Sequence, residues 1–126
     1  MIERGWILIV EDNPGVADVL IGLFEERGFD CQWASCDIDA QDAIASRPPP
    51  AALLLDVNLG AGTTGFDLAR FCRRRHPDVP IIFASGEVTH GSFKAFGVPN
   101  SCFLPKPFSH EEFELALRDA FPDATV

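Results

Sequence analysis

Positive charge is scarce in this chain: 10 Lys and Arg stand against 19 Asp and Glu over 126 residues, a formal net charge of −9. Nucleic acid and anionic membrane both reward clustered Lys and Arg, so neither is expected as a direct partner. A divalent cation or a basic protein surface suits the balance better. The 4 cysteines, Cys31, Cys36, Cys72 and Cys102, make no C-x-x-C pair and have no His at metal-ligand spacing. They read as reduced, mostly buried fillers in an intracellular protein. No apolar run approaches the ~20 residues of a membrane span. The opening "MIERGW" has no long apolar stretch of the secretory type, and a cytoplasmic location is expected. No internal repeat occurs, and the only biased tract is "PPP" at 48–50. "CRRRH" (72–76) is one basic turn on an acidic protein and reads as a solvated helix face. His76, His90 and His110 are isolated and receive no role.

What is present is a rhythm of short apolar runs and helical patterns. At 47% hydrophobic, the chain has material for a substantial core, and its length fits one domain, 1–126, with no further domain expected on the chain. "WILIV" (6–10) predicts a buried strand. Asn13 then predicts an N-cap with Pro14 at the first helical position, before a helix with Val16, Val19, Leu20 and Leu23 at helical spacing and Gly28 as its stop. "FDCQWA" (29–34) predicts a second strand. Asp37 is expected to cap a short helix through Ala45, ended by the prolines. "ALLLD" (52–56) predicts a third strand, and "GFDLARFCRRRH" (65–76) a third helix with its arginines outward. "PIIFAS" (80–85) is a fourth strand, 87–97 a Gly-broken fourth helix, and "SCFLPK" (101–106) a fifth strand. The last helix, 109–121, opens on a capping box of Ser109 and Glu112.

Alternating buried strands and helices imply a parallel sheet covered on both faces. The expected fold is doubly wound α/β, flavodoxin-like, with five strands in the order 2-1-3-4-5 and five helices. Ligands in such sheets bind beyond the carboxyl ends of the strands, where the strand order switches. Glu11 and Asp12 follow the first strand, Asp56 ends the third, Ser85 the fourth and Lys106 the fifth. All lie on one rim. With the first and third strands adjacent, Glu11, Asp12 and Asp56 converge, and three crowded carboxylates call for a cation. Oxygen ligands of this kind suit Mg²⁺, which also binds phosphate oxygens. A flanking ammonium and hydroxyl make a cradle for a phosphoryl group, and a carboxylate can itself be the nucleophile.

These residues carry a resemblance. "LIVEDNP", "LLLDVNLG", "IIFASG" and "FLPKPF", in order and each at a strand end, closely resemble the four signature segments of receiver domains of two-component response regulators. The resemblance covers nearly the whole chain. It implies that Asp56 accepts a phosphoryl group from a histidine kinase or phosphotransfer protein. It implies that Asp12 ligates Mg²⁺ directly and Glu11 through water, with the backbone carbonyl of Asn58 as a further ligand. Lys106 would pair with the phosphoryl group, Ser85 would move to bond it, and Phe103 holds the position of the aromatic switch. The Lys106–Pro107 peptide is expected to be cis. Asn58 and Glu87 hold positions that tune dephosphorylation, in the pairing of chemotaxis-type regulators with short-lived phosphorylation. The surface of the fourth helix, fifth strand and fifth helix would report the state to a downstream protein.

The chain also departs from the family pattern. Pro is usual four residues after the acceptor and Gly eight after. Here those positions are Gly60 and Thr64, with Gly65 ninth, so the loop is one residue longer. Two other functions remain open on sequence alone: a receiver-like binding module that is never phosphorylated, and a Mg²⁺-dependent phosphohydrolase with an aspartyl nucleophile. The second would need an Asp where Asn58 stands and a substrate-covering cap. Phe103 also fits an ordinary core aromatic.

Overall fold

The structure, a computed structural model, describes residues 5–57, 65–86 and 99–121. Five parallel strands form one sheet: β1 (Trp6–Val10), β2 (Asp30–Ala34), β3 (Ala52–Asp56), β4 (Ile81–Ser85) and β5 (Ser101–Pro105). Their order is β2-β1-β3-β4-β5. Four helices occur among the described residues: α1 (Pro14–Glu25), α2 (Asp37–Ser46), α3 (Gly65–Arg75) and α4 (His110–Ala120). The helix expected over 87–97 lies outside the described residues, as do Asn58, Gly60, Thr64 and Glu87.

Side chains alternate between the two faces of a strand, and the core divides accordingly. Leu8, Val10, Leu53, Leu55, Ile81 and Phe83 pack with α2 and α3. Ile7, Ile9, Leu54, Ile82, Ala84 and Leu104 pack with Leu20 and Phe24 of α1 and Phe113 of α4. The near-continuous apolar runs of β1, β3 and β4 follow from this, because those strands are covered on both sides. Phe24 meets Phe113 edge-on, ring centroids 5.2 Å apart, which locks α1 to α4.

The helix ends follow local chemistry. The Asn13 side chain accepts from the Gly15 and Val16 amides, with Pro14 first in the helix. Gly28, at φ 87°, turns the chain out of α1 in a conformation that favours glycine. The Ser109–Glu112 capping box opens α4.

Several expectations are corrected. Val19 is exposed, since the buried stripe of α1 runs through Ala17, Leu20 and Phe24 and Val19 lies about 100° from Leu20 around the helix. The N-cap of α2 is Cys36, which makes no side-chain cap bond, while Asp37 is the first helical residue and accepts from the Gln41 amide. Among the cysteines, only Cys72 is buried; Cys36 is exposed, and Cys31 and Cys102 are half-buried.

Arg73 does not face solvent as a plain helix surface would. Its guanidinium donates to the carbonyls of His76, Pro77 and Val79 in the turn after α3, and to Pro99 and Asn100 before β5. Free carbonyls at a helix end attract donors, and an arginine in the last turn is long enough to reach beyond its own helix. The clamp ties the amino ends of β4 and β5 together.

Candidate functional site

At the opposite end of the sheet, β1 and β3 are neighbours, with Val10 beside Leu55. The next residues therefore meet across the switch in strand order. Carboxylate oxygens of Glu11, Asp12 and Asp56 all lie within 4.8 Å of one another. Glu11 is 1% exposed and Asp56 8%, while Asp12 is exposed. Burial of this kind is sustained only where the charges find partners. The Lys106 ammonium supplies one, contacting Glu11 Oε1 and lying 3.3 Å from Asp56 Oδ2.

Each of these positions is built by the local chain. Lys106 follows β5, and its amide donates to the Ser85 carbonyl at 3.2 Å, which ties the ends of β4 and β5 together. The Lys106–Pro107 peptide is cis. The second Glu11 oxygen accepts from the Asn13 amide at 3.2 Å. The Glu11 backbone is held as well: its amide donates to the Ala34 carbonyl, and its carbonyl accepts from the Trp33 indole at 2.8 Å. Asp56 is backed by Gly65, whose amide donates to the Val57 carbonyl at 2.7 Å. A β-carbon on Gly65 would overlap the Asp56 carbonyl oxygen and the Leu55 side chain and lie 2.9 Å from Val57 Cα. Gly65 thus lets α3 start directly against the strand that carries Asp56.

Burial is the largest influence on the Glu11 carboxyl and pushes it above the usual range; the Lys106 ammonium and the Asn13 amide pull against this, and the neighbouring Asp12 adds to it. For Lys106, burial works against the charge, but the hydrogen bond to Glu11 and the charges of Asp56 and Glu11 outweigh it. The ammonium is held above its ordinary value. Lys106 therefore stays a cation.

Ser85 is buried at the end of β4, paired in register with Pro105, one position beyond Ala84, the partner of Asp56. Phe103 is half-buried: it packs against the core face that holds Phe83 and lines a cleft of about 490 Å³ with Leu115 and Ala116 of α4. The structure thus brings Glu11, Asp12, Asp56 and Lys106 into one cluster, puts Ser85 at the end of the strand beside β3, and leaves Phe103 to one side. Trp33, Asn13 and Gly65 had no assigned part at the site; only the position of Trp33 at the end of a strand adjoining the acidic pair offered a signal.

The residues present fit a hard divalent cation. Among the described residues, one ammonium stands against three oxygen-donor carboxylates, and no nitrogen or sulfur ligand accompanies the carboxylates in the cluster.

These features define a class: an α/β domain that gathers carboxylates and one ammonium at the switch point of a doubly wound sheet. The response regulator receiver domain profile matches residues 7–118, and the chain belongs to that family. The chain is similar to the nitrogen assimilation regulatory protein NtrX of Azorhizobium caulinodans, at 32% identity over 108 residues, covering 82% of this chain and 23% of that protein. It is 36% identical over 112 residues to the photosynthetic apparatus regulatory protein RegA of Rhodovulum sulfidophilum, covering 88% of this chain and 60% of the relative. It thus spans less than two thirds of either one. Its fold matches that of a response regulator receiver protein from Sinorhizobium medicae WSM419, with a TM-score of 0.85 at 23% identity over 94% of this chain and 95% of the other. Among the described residues, no helix is long and apolar enough to cross a membrane.

Proposed function

We propose that this chain is the phosphorylatable receiver of a two-component or phosphorelay system, with Asp56 as the acceptor. The observation that carries the reading is the buried cluster in which Lys106 bridges Glu11 and Asp56 beside Asp12. A carboxylate oxygen of Asp56 attacks phosphorus, the bond from phosphorus to the donor breaks, and the donor leaves with that electron pair. With a histidine kinase or phosphotransfer protein as donor, the leaving group is the imidazole. Transfer of this kind depends on positioning and charge neutralisation more than on covalent help. Glu11, Asp12, Asp56 and the Asn58 backbone carbonyl would hold Mg²⁺, which when bound supplies neutralisation of charge on the phosphoryl oxygens. Lys106 keeps its proton and pairs with a phosphoryl oxygen. Ser85 donates its hydroxyl to another.

Phosphorylation then acts as a switch only through its differential affinity for two conformations. Ser85 and Phe103 are the residues that read it, and a downstream protein binds the surface that includes β5 and α4. Asn58 and Glu87 tune hydrolysis of the aspartyl-phosphate toward a short lifetime. The only chemistry of the chain is its own phosphorylation and dephosphorylation.

The test is intact mass after incubation with acetyl phosphate and Mg²⁺. A gain of one phosphoryl group is expected, absent in Asp56→Asn and without Mg²⁺, and decaying within minutes to an hour once the donor is removed. An unmodified wild-type mass would sink the reading in favour of a binding module, and sustained turnover of phosphate esters would favour a hydrolase. A phosphoryl mass that persists for many hours would remove the tuning role of Asn58 and Glu87.

A further inference from the structure

Trp33 stands where the ladder between β1 and β2 stops. The last paired residues are Val10 and Ala34. Glu11 still donates its amide to the Ala34 carbonyl, at 3.1 Å, but β2 ends at Ala34 and the chain turns toward α2. Beyond the last register pair, the Glu11 carbonyl is taken by the indole N–H of Trp33, at 2.8 Å. A side chain therefore replaces the backbone donor that a longer strand would have supplied. The bond is made although Trp33 is 41% exposed, so the ring is kept at the rim with its polar edge turned inward.

The consequence falls on the acidic pair. Glu11 is now held at four atoms: its amide by Ala34, its carbonyl by Trp33, one carboxylate oxygen by Lys106 and the other by the Asn13 amide. Asn13 is in turn fixed as the N-cap of α1. Asp12 lies between these two anchored residues and is itself exposed, so its carboxylate is aimed by the backbone on either side. Loss of the indole bond removes one of the four anchors on the Glu11 side and loosens it.

We propose that Trp33 is a positioning residue for the cation site, acting through the Glu11 backbone to aim Glu11 and Asp12, and that its indole reports the arrival of the cation. The inference rests on the cation reading given above. Partners one bond removed from a metal ligand commonly change affinity by about 10- to 100-fold when lost. Trp33 acts through backbone and leaves every ligand in place, so the lower end of that range applies.

The chain contains an internal reference. Its other tryptophan, Trp6, begins β1 at the far end of the sheet, where its indole donates to Pro48. The experiment is a Mg²⁺ titration of wild type and Trp33→Phe, followed by calorimetry and by tryptophan emission, with thermal melts in EDTA alongside. Phe keeps the ring and removes the donor. We expect Mg²⁺ affinity to fall by roughly 10-fold, the EDTA melting curve to change little, and the emission response of wild type to vanish in the variant, where Trp6 alone emits. A variant that binds Mg²⁺ as tightly as wild type overturns the inference, as does one whose only change is a lower melting temperature. The unmodified chain supplies a second test, since saturation with Mg²⁺ and no change in emission refutes the reporter. A wild type that binds no Mg²⁺ by calorimetry is a different failure: it removes the cation reading itself.

Discussion

The two ends of the sheet solve opposite electrostatic problems. At the amino ends of β4 and β5, one guanidinium, that of Arg73, faces five backbone carbonyls. Neutral acceptors surround a single charge, and of the guanidinium nitrogens only Nε is left buried without a hydrogen-bond partner among the described residues. At the carboxyl ends, one ammonium, that of Lys106, faces three carboxylates. Like charges are crowded there, and among the described residues Lys106 is the one cation in the cluster. The first end contributes to stability; the second stores repulsion that a ligand can relieve. Binding sites are commonly poised in this way, and stability is recovered elsewhere in the fold.

The comparison fails unless changes at the two ends have opposite signs. The largest effect is expected at the amino end. Arg73→Met keeps much of the apolar stem but leaves carbonyls without their donor, two of them in partly buried bonds, those of His76 and Val79. A loss of about 2–4 kcal/mol is expected in urea unfolding. Its Mg²⁺ affinity should match that of wild type, since the clamp is a sheet-length from the acids. An Arg73→Met protein with wild-type stability would mean that water replaces the guanidinium at no cost.

Gly65→Ala probes the junction between scaffold and site. The added methyl would meet backbone atoms of β3 and the residue after it, which cannot rotate away. A cost of about 2–3 kcal/mol is expected, together with slower phosphorylation because Asp56 is carried by the displaced strand end. Stability and rate should fall together. A variant with unchanged melting and rate would show that the start of α3 shifts to accept the methyl freely.

Asp12→Asn should do the reverse of Arg73→Met. It removes one like charge from beside Glu11, so the protein in EDTA should gain about 0.5–1 kcal/mol. Mg²⁺ should stabilise wild type by about 1.4 kcal/mol at ten times its dissociation constant, and should leave Asp12→Asn almost unmoved. Denaturant melts with and without Mg²⁺ measure both terms. If Asp12→Asn destabilises the metal-free protein, the carboxyl end is not under repulsion and the comparison is wrong.

The same contrast explains which parts were legible in the sequence. The five-stranded sheet and the four described helices were, because the covered strands β1, β3 and β4 read as apolar runs and the caps at Asn13, Ser109 and Gly28 are written in local chemistry. The acidic cluster was legible too, because strand ends in a doubly wound sheet converge by topology, and Glu11 with Asp12, Asp56, and Lys106 sit at the ends of three different strands. Arg73 was not. Its five acceptors are backbone atoms from two segments, and nothing in "CRRRH" separates it from the exposed Arg74 beside it. Trp33 escaped for a related reason, since its partner is a carbonyl rather than a side chain. Side-chain patterns announce burial and charge; they are silent about which backbone groups a long polar side chain will find. Val19 marks a further limit, an apolar residue at helical spacing that falls just off the buried stripe.

The smallest effect concerns reactivity, and it corrects the uniform view of the cysteines. Burial pushes the Cys102 thiol up to about 12, with the charge of Asp119 adding to the shift. Burial likewise raises Cys31 to about 11, helped by Glu25 and Asp30, and Cys72 to about 11 against the pull of Arg73. Only the thiolate attacks a disulfide reagent. A thiol titrating near 11 is ionised to roughly one part in a thousand at pH 8, so these three react through rare openings of the fold. Cys36 is exposed at the start of α2, on the carboxyl side of the sheet. Ellman's reagent at pH 8 should therefore modify one thiol quickly and three slowly, with Cys36→Ser removing the fast phase alone. In Arg73→Met the slow phase should accelerate while the fast phase is unchanged, because Cys72 adjoins the lost clamp and global openings become more frequent. In Asp12→Asn the slow phase should slow further. A slow phase indifferent to both substitutions would show that neither end of the sheet governs how often the core opens.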